Sequence, residues 1–146
     1  MRLVISGGRN FNNYDLLKKS THKLFYKLTT ETGYIKNWKD DVEIVWGTAL
    51  GADTLAKKFA DEYKLKHKPF PAKWDDINTP GAIVKYNKYG KSYNAKAGYD
   101  RNLQMALYAK EDSGVLLAFH DGKSRGTGNM IQIAKKHDLK IFIIKY

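Results

Sequence analysis

The chain has 146 residues, of which 42% are hydrophobic and 28% are charged, and this composition suits one compact globular domain. It contains no cysteine, which excludes disulfides, thiolate chemistry and cysteine-based zinc sites. No apolar run approaches the roughly 20 residues that cross a bilayer, and no stretch is typical of a signal peptide, so we expect a cytoplasmic protein without a membrane partner. The formal net charge of +11 favours a polyanionic partner, either a nucleic acid or a phosphorylated small molecule.

The first half of the chain alternates short β-branched runs with segments of helical spacing. Residues 2–5 predict a buried strand, and residues 14–28 carry apolar side chains at the spacing of a helix. Residues 29–41 are polar and rich in turn formers, so we expect a surface connection in which Trp38 is a packing residue. Residues 42–46 predict a second strand, which an amphipathic helix follows.

The second half contains one segment that breaks this alternation. Residues 64–71 contain a third short strand, but residues 75–96 have no apolar period and interleave lysines with tyrosines. Such a stretch is typical of a functional insertion or flap, because cations alternating with aromatic rings suit phosphates and bases. A flexible, solvated flap is the alternative. A helix at residues 97–109, a strand at 114–119, a helical pattern at 130–134 and a last strand at 140–144 complete the chain.

The order of elements is therefore β-α-β-α-β-flap-α-β-α-β. Short, continuous apolar strands separated by helices are typical of a parallel sheet with both faces covered. We predict an α/β fold: a three-layer sandwich with a mostly parallel central sheet of about five strands and helices on both faces. Residues 1–146 would form a single domain, with the Lys/Tyr-rich insertion at about 75–96.

Glycine-containing turns follow three of the predicted strands. Gly7 and Gly8 follow the first strand, residues 47–51 follow the second, and residues 122–127 follow the fourth. Because the carboxyl ends of parallel strands meet at one edge of a sheet, we expect these turns to converge. Exposed backbone N–H groups and helix N-termini suit phosphate. Ordinary βα turns without a ligand remain the alternative, but three on one edge favour a binding site.

Five segments in order resemble a known family. They are Ser-Gly-Gly-Arg-Asn-Phe at 6–11, Gly-Thr-Ala-Leu-Gly-Ala-Asp-Thr-Leu-Ala at 47–56, Pro-Ala-Lys-Trp at 71–74, Ala-Gly-Tyr-Asp-Arg-Asn-Leu-Gln-Met at 97–105 and Gly-Lys-Ser-Arg-Gly-Thr at 122–127. Together they resemble the YspA-like branch of the SLOG superfamily, which groups the SMF/DprA proteins with the LOG proteins. The resemblance covers nearly the whole chain and implies a Rossmann-like fold with a pocket for a nucleotide or nucleotide derivative. The insertion at 75–96 departs from this family, which usually joins the flanking segments with fewer residues.

One departure concerns catalysis. LOG proteins are phosphoribohydrolases that cleave the base–ribose bond of nucleoside monophosphates, and their signature is Gly-Gly-x-Gly-Thr-x-x-Glu with an arginine on a neighbouring helix. Residues 126–127 match the Gly-Thr and Arg101 matches the arginine, but Met130 occupies the glutamate position. Glycosidic cleavage normally needs a carboxylate, so we predict no catalytic residue and lean against an enzyme. Asp53 or Asp100 could substitute for the glutamate.

The leading hypothesis is a protein that senses or sequesters a nucleotide or an ADP-ribose-like ligand. Backbone amides of the three turns would hold phosphates, helped by Arg9, Lys123 and Arg125. Asp53 would accept a ribose hydroxyl, unless it only caps its helix. The predicted ligand-binding residues are Ser6, Gly7, Gly8, Arg9, Phe11, Gly47, Thr48, Gly51, Asp53, Trp74, Arg101, Asn102, Gly122, Lys123, Ser124, Arg125, Gly126 and Thr127, with Phe11 and Trp74 flanking the base, and Arg101 and Asn102 orienting the sugar phosphate.

Three alternatives stay open: a nucleotide-processing hydrolase with LOG-like N-glycosidic chemistry, a single-stranded nucleic-acid binding protein like the DprA relatives, and a scaffold domain without a ligand. The four histidines are scattered without ligand spacing, so we predict no metal site. A Mg²⁺ ion accompanying a phosphorylated ligand is the one cofactor kept open. A homo-oligomer is expected only by analogy with the resembling family.

Overall fold

The computed structural model describes residues 1–33 and 35–146. Within these residues the elements are β1 (Arg2–Gly7), α1 (Tyr14–Thr32), α2 (Trp38–Asp41), β2 (Glu43–Trp46), α3 (Ala52–Glu62), β3 (Lys66–Pro69), β4 (Val84–Tyr86), β5 (Ser92–Asn94), α4 (Ala97–Lys110), β6 (Val115–His120), α5 (Arg125–Lys136) and β7 (Lys140–Lys145).

Five of these strands form the central sheet, in the order β3-β2-β1-β6-β7, with every neighbouring pair parallel. Leu3 of β1 lies between Ile44 of β2 and Val115 of β6. The chain moves outward in one direction from β1 to β3 and in the other from β6 to β7, so the direction reverses between β1 and β6. The predicted parallel α/β, Rossmann-like fold is confirmed.

Alternating side chains of the strands fill two cores, one on each face of the sheet. Leu3 and Ile5 of β1 point into a core with α1 and α3, where Phe25 and Phe59 are buried. Val4, between them in the chain, points into a second core that α4 and α5 cover. Burial on both faces explains why the strands are continuous apolar runs rather than alternating ones. The three-layer arrangement is confirmed.

The region predicted as a surface connection is partly helical. Helix α1 continues to Thr32, and the hydroxyls of Thr29 and Thr32 donate to carbonyl oxygens one turn earlier, at 2.8 and 2.6 Å, so these polar side chains are satisfied within the helix. It ends at Gly33, whose φ of +67° is the left-handed conformation that glycine accommodates. Trp38 opens α2 and packs against the core of α1 and α3, as predicted.

The insertion contains a regular element that its sequence pattern does not predict. Strands β4 and β5 pair as an antiparallel hairpin, with Lys85 opposite Tyr93. The side-chain oxygen Oδ1 of Asn87 accepts hydrogen bonds from the N–H groups of Tyr89 and Lys91, at 2.9 and 3.0 Å, and thereby closes the turn. Most of the hairpin is exposed, so it has no buried face that could produce an apolar period.

Replacing Phe25 should strongly destabilise the protein. Its side chain is 0% exposed and its ring centroid lies 4.9 Å from that of Trp38, so Phe25→Ala leaves a cavity that costs about 3–5 kcal/mol. The neighbouring Tyr26 is 74% exposed, and Tyr26→Ala should change the free energy of unfolding by less than about 0.5 kcal/mol. Urea unfolding followed by circular dichroism measures both, and equal losses would contradict the assigned burial.

Candidate functional site

The carboxyl edge of the central sheet holds a cavity of about 460 Å³. It lies beside β1 and β6, where the direction of the chain reverses and the loops diverge, which is where parallel α/β sheets bind ligands. The turn after β1, the start of α3, the first turns of α4 and the start of α5 form its wall. Of the predicted residues, the wall includes Ser6, Gly7, Gly8, Arg9, Asp53, Trp74, Arg101, Asn102, Ser124, Gly126 and Thr127.

Glycines bring the first two turns into direct contact. The carbonyl oxygen of Gly8 accepts hydrogen bonds from the N–H groups of Phe11 and Ala52, at 3.2 and 3.3 Å. Gly51 has a φ of +81°, and a Cβ there would collide with that same carbonyl oxygen. A Cβ at Gly7 would lie 2.7 Å from the Cβ of Ala52. Gly51 therefore permits the contact between the turns without lining the main cavity. Gly7 and Gly8 are part of that contact and line the main cavity as well.

Asp53 and Arg101 approach each other over Gly47. A Cβ at Gly47 would lie 2.6 Å from Nη1 of Arg101 and 2.8 Å from Oδ2 of Asp53, so glycine makes room for both side chains. Nη1 of Arg101 donates to the carbonyl oxygens of Gly47 and, at 3.5 Å, Phe70. Oδ2 of Asp53 accepts a hydrogen bond from the N–H of Ala49 at 3.1 Å. The sheet edge thus holds one buried carboxylate and one anchored cation together.

Burial dominates the electrostatics of this pair. Desolvation raises the pKa of the Asp53 carboxyl to about 6, although two backbone N–H groups and two arginine charges act to lower it. Burial also lowers the pKa of Arg101, and the Asp53 charge opposes that shift. Carboxyls with pKa values shifted toward neutrality are frequent in functional sites, as they are in structural ion-pair networks. Asp53 is mostly ionised at neutral pH and can accept hydrogen bonds there.

The N-terminus of α5 opens onto the cavity. The helix begins at Arg125, within the third predicted turn, and Ser124 caps it by accepting a hydrogen bond from the N–H of Thr127 at 3.3 Å. Ser124, Gly126 and Thr127 all line the cavity. The first N–H groups of a helix have no acceptor within it, and together with the helix dipole they favour an anion.

Gly122, Lys123 and Arg125 lie outside the cavity wall, on the solvent side of the same turn, where all three are exposed. Gly122 has a φ of +85°, and the N–H of Lys123 donates to Oδ1 of Asp121 at 2.8 Å. The structure therefore gives this part of the turn a role in capping α5.

Asn102 joins α4 to α5. Its amide nitrogen Nδ2 donates to the carbonyl oxygen of Gly126 at 3.3 Å and to Oδ1 of Asn129 at 3.0 Å. Its oxygen Oδ1 accepts a hydrogen bond from Nε of Arg101 at 3.1 Å. Although Asn102 lines the cavity, these bonds engage its amide within the protein and fix the distance between the two helices.

Two aromatic residues that were expected to flank a base have different positions. Trp74 lines the cavity, with the guanidinium carbon of Arg9 at 5.9 Å from its ring centroid, which is within cation–π distance. Phe11 is 2% exposed and stacks on Phe119 at a centroid distance of 4.8 Å, with Tyr146 on its other side. The expectation for Phe11 is therefore corrected. Its ring is part of the hydrophobic core and does not line the cavity.

The predicted Gly47 and Thr48 line an adjoining cavity of about 330 Å³ rather than the main one. Several residues of the main cavity were not predicted. On α4, Gly98, Tyr99 and Met105 line it beside the predicted Arg101 and Asn102, and the spacing 98, 101, 102, 105 is that of one helix face. That spacing is the sequence signal that could have found them. The remaining unpredicted residues of its wall are Asn10, Ala49 and Ala95.

The fold is similar to that of part of DNA processing protein A. The chain superposes on the protein from Streptococcus pneumoniae with a TM-score of 0.60 and 18% identity, covering 99% of this chain and 50% of that one. It superposes on the protein from Helicobacter pylori, whose structure is described for its single-stranded DNA binding mode, with a TM-score of 0.61 and 19% identity, covering 100% and 66%. The chain thus spans about half to two thirds of the length of these proteins. No protein-family model and no curated protein matches the sequence.

The likeness supports the Rossmann-like α/β fold. The resemblance to the SLOG superfamily and its YspA-like branch stays a prediction. Over residues 1–33 and 35–146, no helix is long and apolar enough to cross a membrane. Nor does that part of the chain bring together three or more histidines and carboxylates in a group that could hold a metal ion.

Replacing Asp53 by asparagine should change how stability depends on pH. The folded-state pKa of about 6 exceeds the unfolded value of 3.8, so the folded protein loses stability as the pH rises between these values. The shift of roughly two pKa units corresponds to a loss of roughly 2–3 kcal/mol of folding free energy. Asp53→Asn would not undergo this loss, because asparagine does not titrate. Relative to wild type, the variant should therefore gain that amount between about pH 4 and pH 7, measured by urea unfolding.

Asp100→Asn is the matched control for this prediction, because the Asp100 side chain is 48% exposed and pairs with Lys96 at the surface. Because solvent screens an exposed ion pair, Asp100→Asn should change the stability much less than Asp53→Asn. Equally small changes in both variants would contradict the burial assigned to the Asp53 carboxyl.

Proposed function

We propose that the cavity at the carboxyl edge of the sheet binds a nucleotide or a nucleotide-derived, ADP-ribose-like ligand, and that the protein senses or sequesters it. One observation carries the proposal: the N-terminus of α5, the glycine turn after β1 and two arginines surround the same cavity. Its volume of about 460 Å³ is in the range of roughly 300–1,000 Å³ that is typical of small-molecule sites.

The phosphate of such a ligand would lie between Gly8 and Gly126, where backbone N–H groups and the dipole of α5 favour negative charge. The Arg9 side chain is in the same wall and supplies a full positive charge. Arg101 is already anchored on carbonyl oxygens of the segments that follow β2 and β3, so its charge contributes without moving. This part of the cavity would bind the ligand regardless of its base.

The nucleoside would occupy the other part of the cavity. Trp74 and Tyr99 both line the cavity and offer aromatic rings, which stack on bases. Ionised Asp53 would accept hydrogen bonds from ribose hydroxyls.

Binding is favoured over hydrolysis by the position of Met130. Its side chain is 0% exposed and packs in the core beneath α5, so it brings no acid–base group to the cavity. Asp53 is the lining carboxylate on which a hydrolase of the N-glycosidic type would depend. Incubation with nucleoside monophosphates, NAD and ADP-ribose, followed by mass spectrometry of the products, tests this alternative. Turnover that Asp53→Asn abolishes would establish hydrolysis.

Single-stranded nucleic-acid binding is the second candidate. It is supported by the net charge of +11, by the exposed tyrosines Tyr86 and Tyr89 with lysines around them on the β4–β5 hairpin, and by the likeness in fold to a protein described as binding single-stranded DNA. A strand would follow the positively charged surface and stack bases on the exposed rings.

Arg9 should be required for nucleotide binding. We expect Arg9→Ala to weaken the binding of AMP or ADP-ribose by at least about tenfold, because it removes a charge-assisted contact to phosphate. Arg125→Ala removes an exposed arginine of the same sheet edge that does not line the cavity, and should change the affinity less than about twofold. Isothermal titration calorimetry measures both variants. Equal effects would indicate charge attraction without a site.

Oligonucleotide binding, if the second candidate holds, should depend steeply on salt. Each phosphate neutralised on a single strand contributes about −0.7 to the slope of log K against log salt concentration. Fluorescence anisotropy with a labelled thymidine oligonucleotide at several salt concentrations measures this slope. No binding at low salt would exclude this candidate.

A further inference from the structure

A second chamber lies between the β4–β5 hairpin and the main cavity. Its volume is about 540 Å³, and Asn87, Lys91 and Tyr93 of the hairpin line one side. Arg9 and Trp74 line the other side, and the same two residues also line the main cavity. The Arg9–Trp74 pair is thus a partition between the second chamber and the main cavity, and it also borders the adjoining cavity beside Gly47.

The hairpin is attached to this partition. The N–H of Asn94, at the end of β5, donates to the carbonyl oxygen of Trp74 at 2.7 Å. The rings of Trp74 and Tyr93 meet edge to face at a centroid distance of 6.4 Å. The buried side chain of Asn94 accepts hydrogen bonds from the N–H groups of Ile83 and Lys96, which ties both ends of the insertion together. The wall of the second chamber therefore has a fixed position relative to the main cavity.

The chamber has the chemistry of a nucleotide subsite. Lys91 and Arg9 supply positive charge on two sides, and Tyr93 and Trp74 supply aromatic surface between them. Asp75 is the opposing charge, but its contact with Lys91 at 3.6 Å joins two side chains that are 85% and 71% exposed, so solvent screens it. A phosphate can compete for Lys91 at little cost.

We propose that this chamber binds a second nucleotide unit, so that the ligand consists of two nucleotide units whose linking phosphates lie at Arg9. The inference rests on the proposed function of the main cavity and specifies its ligand class. One unit occupies the main cavity, the phosphates cross the Arg9–Trp74 partition, and the second unit lies against Tyr93. A pyrophosphate-linked dinucleotide and the backbone of a short single strand share this chemistry.

Affinities for four probes test the number of units: AMP, NAD, the phosphodiester-linked dinucleotide pApA, and an oligothymidylate of about 10 nucleotides. We expect a two-unit ligand to bind at least about tenfold tighter than AMP, because the second stacked base adds to the first. Tight binding of NAD indicates a small dinucleotide ligand. Tight binding of pApA and the oligonucleotide without NAD indicates a strand. Both results support a two-unit site.

Substitutions of two lysines of the hairpin test the location of the second subsite. Lys91→Glu should weaken binding of the two-unit probe by about tenfold and leave AMP within about twofold, because Lys91 lines only the second chamber among the cavities described. Lys88→Glu makes the same change of charge beside Tyr89, outside the chamber, and should leave both affinities within about twofold. Unchanged thermal midpoints in both variants confirm that the fold is intact.

Failure of the second subsite can be distinguished from failure of the proposed function. If AMP binds and no two-unit probe binds more tightly, the second subsite is overturned while the proposed function stands. Equal losses in Lys91→Glu and Lys88→Glu also overturn the subsite, since they indicate general charge attraction. If none of the nucleotides binds at low salt, the proposed function fails, and this inference fails with it.

Discussion

The backbone contact between Gly8 and the start of α3 determines the geometry of the whole sheet edge. The Gly8 carbonyl oxygen accepts hydrogen bonds from both its own turn and Ala52, which joins the loops that follow β1 and β2. With α3 held there, Asp53 is buried in the wall rather than exposed on a helix surface. Any side chain at position 51 would force the two turns apart, so the cavity depends on the small size of that residue as much as on its polar groups.

The position of the loops at this sheet edge also explains why the Arg101 side chain has a fixed position. A guanidinium next to a buried carboxylate would normally form an ion pair with it, yet here Arg101 donates mainly to carbonyl oxygens of the turns. Asp53 receives backbone N–H groups instead. Each charge is therefore satisfied by the neighbouring loops, and both side chains still line the cavity. The site is organised by backbone polar groups, which vary little with side-chain sequence.

Much of the fold was predictable because its signals are local and repeated. The strands are continuous apolar runs and the intervening helices have clear spacing, so order, layers and parallel pairing followed from the sequence. Phe11 was misassigned because the sequence around an aromatic residue in a turn does not show whether the ring faces a ligand or the core. Its ring contacts, Phe119 and Tyr146, are also distant in sequence. The hairpin was missed because its contacts are with Trp74 and with solvent, neither of which leaves a periodic pattern. The early start of α5 depended on a cap, Ser124, that also suits a loop.

The hairpin has a further consequence for how the protein can change. Within residues 1–33 and 35–146, neither core includes any side chain from positions 75–96. Apart from the buried Asn94, substitutions there alter the wall of a chamber without removing buried apolar surface, so they cost little folding free energy. By contrast, Gly7, Gly47 and Gly51 leave no room for a Cβ atom. The wall of the second chamber and the folded core are thus built from separate parts of the chain, and a descendant could change that wall by exchanging one hairpin on an unaltered sheet.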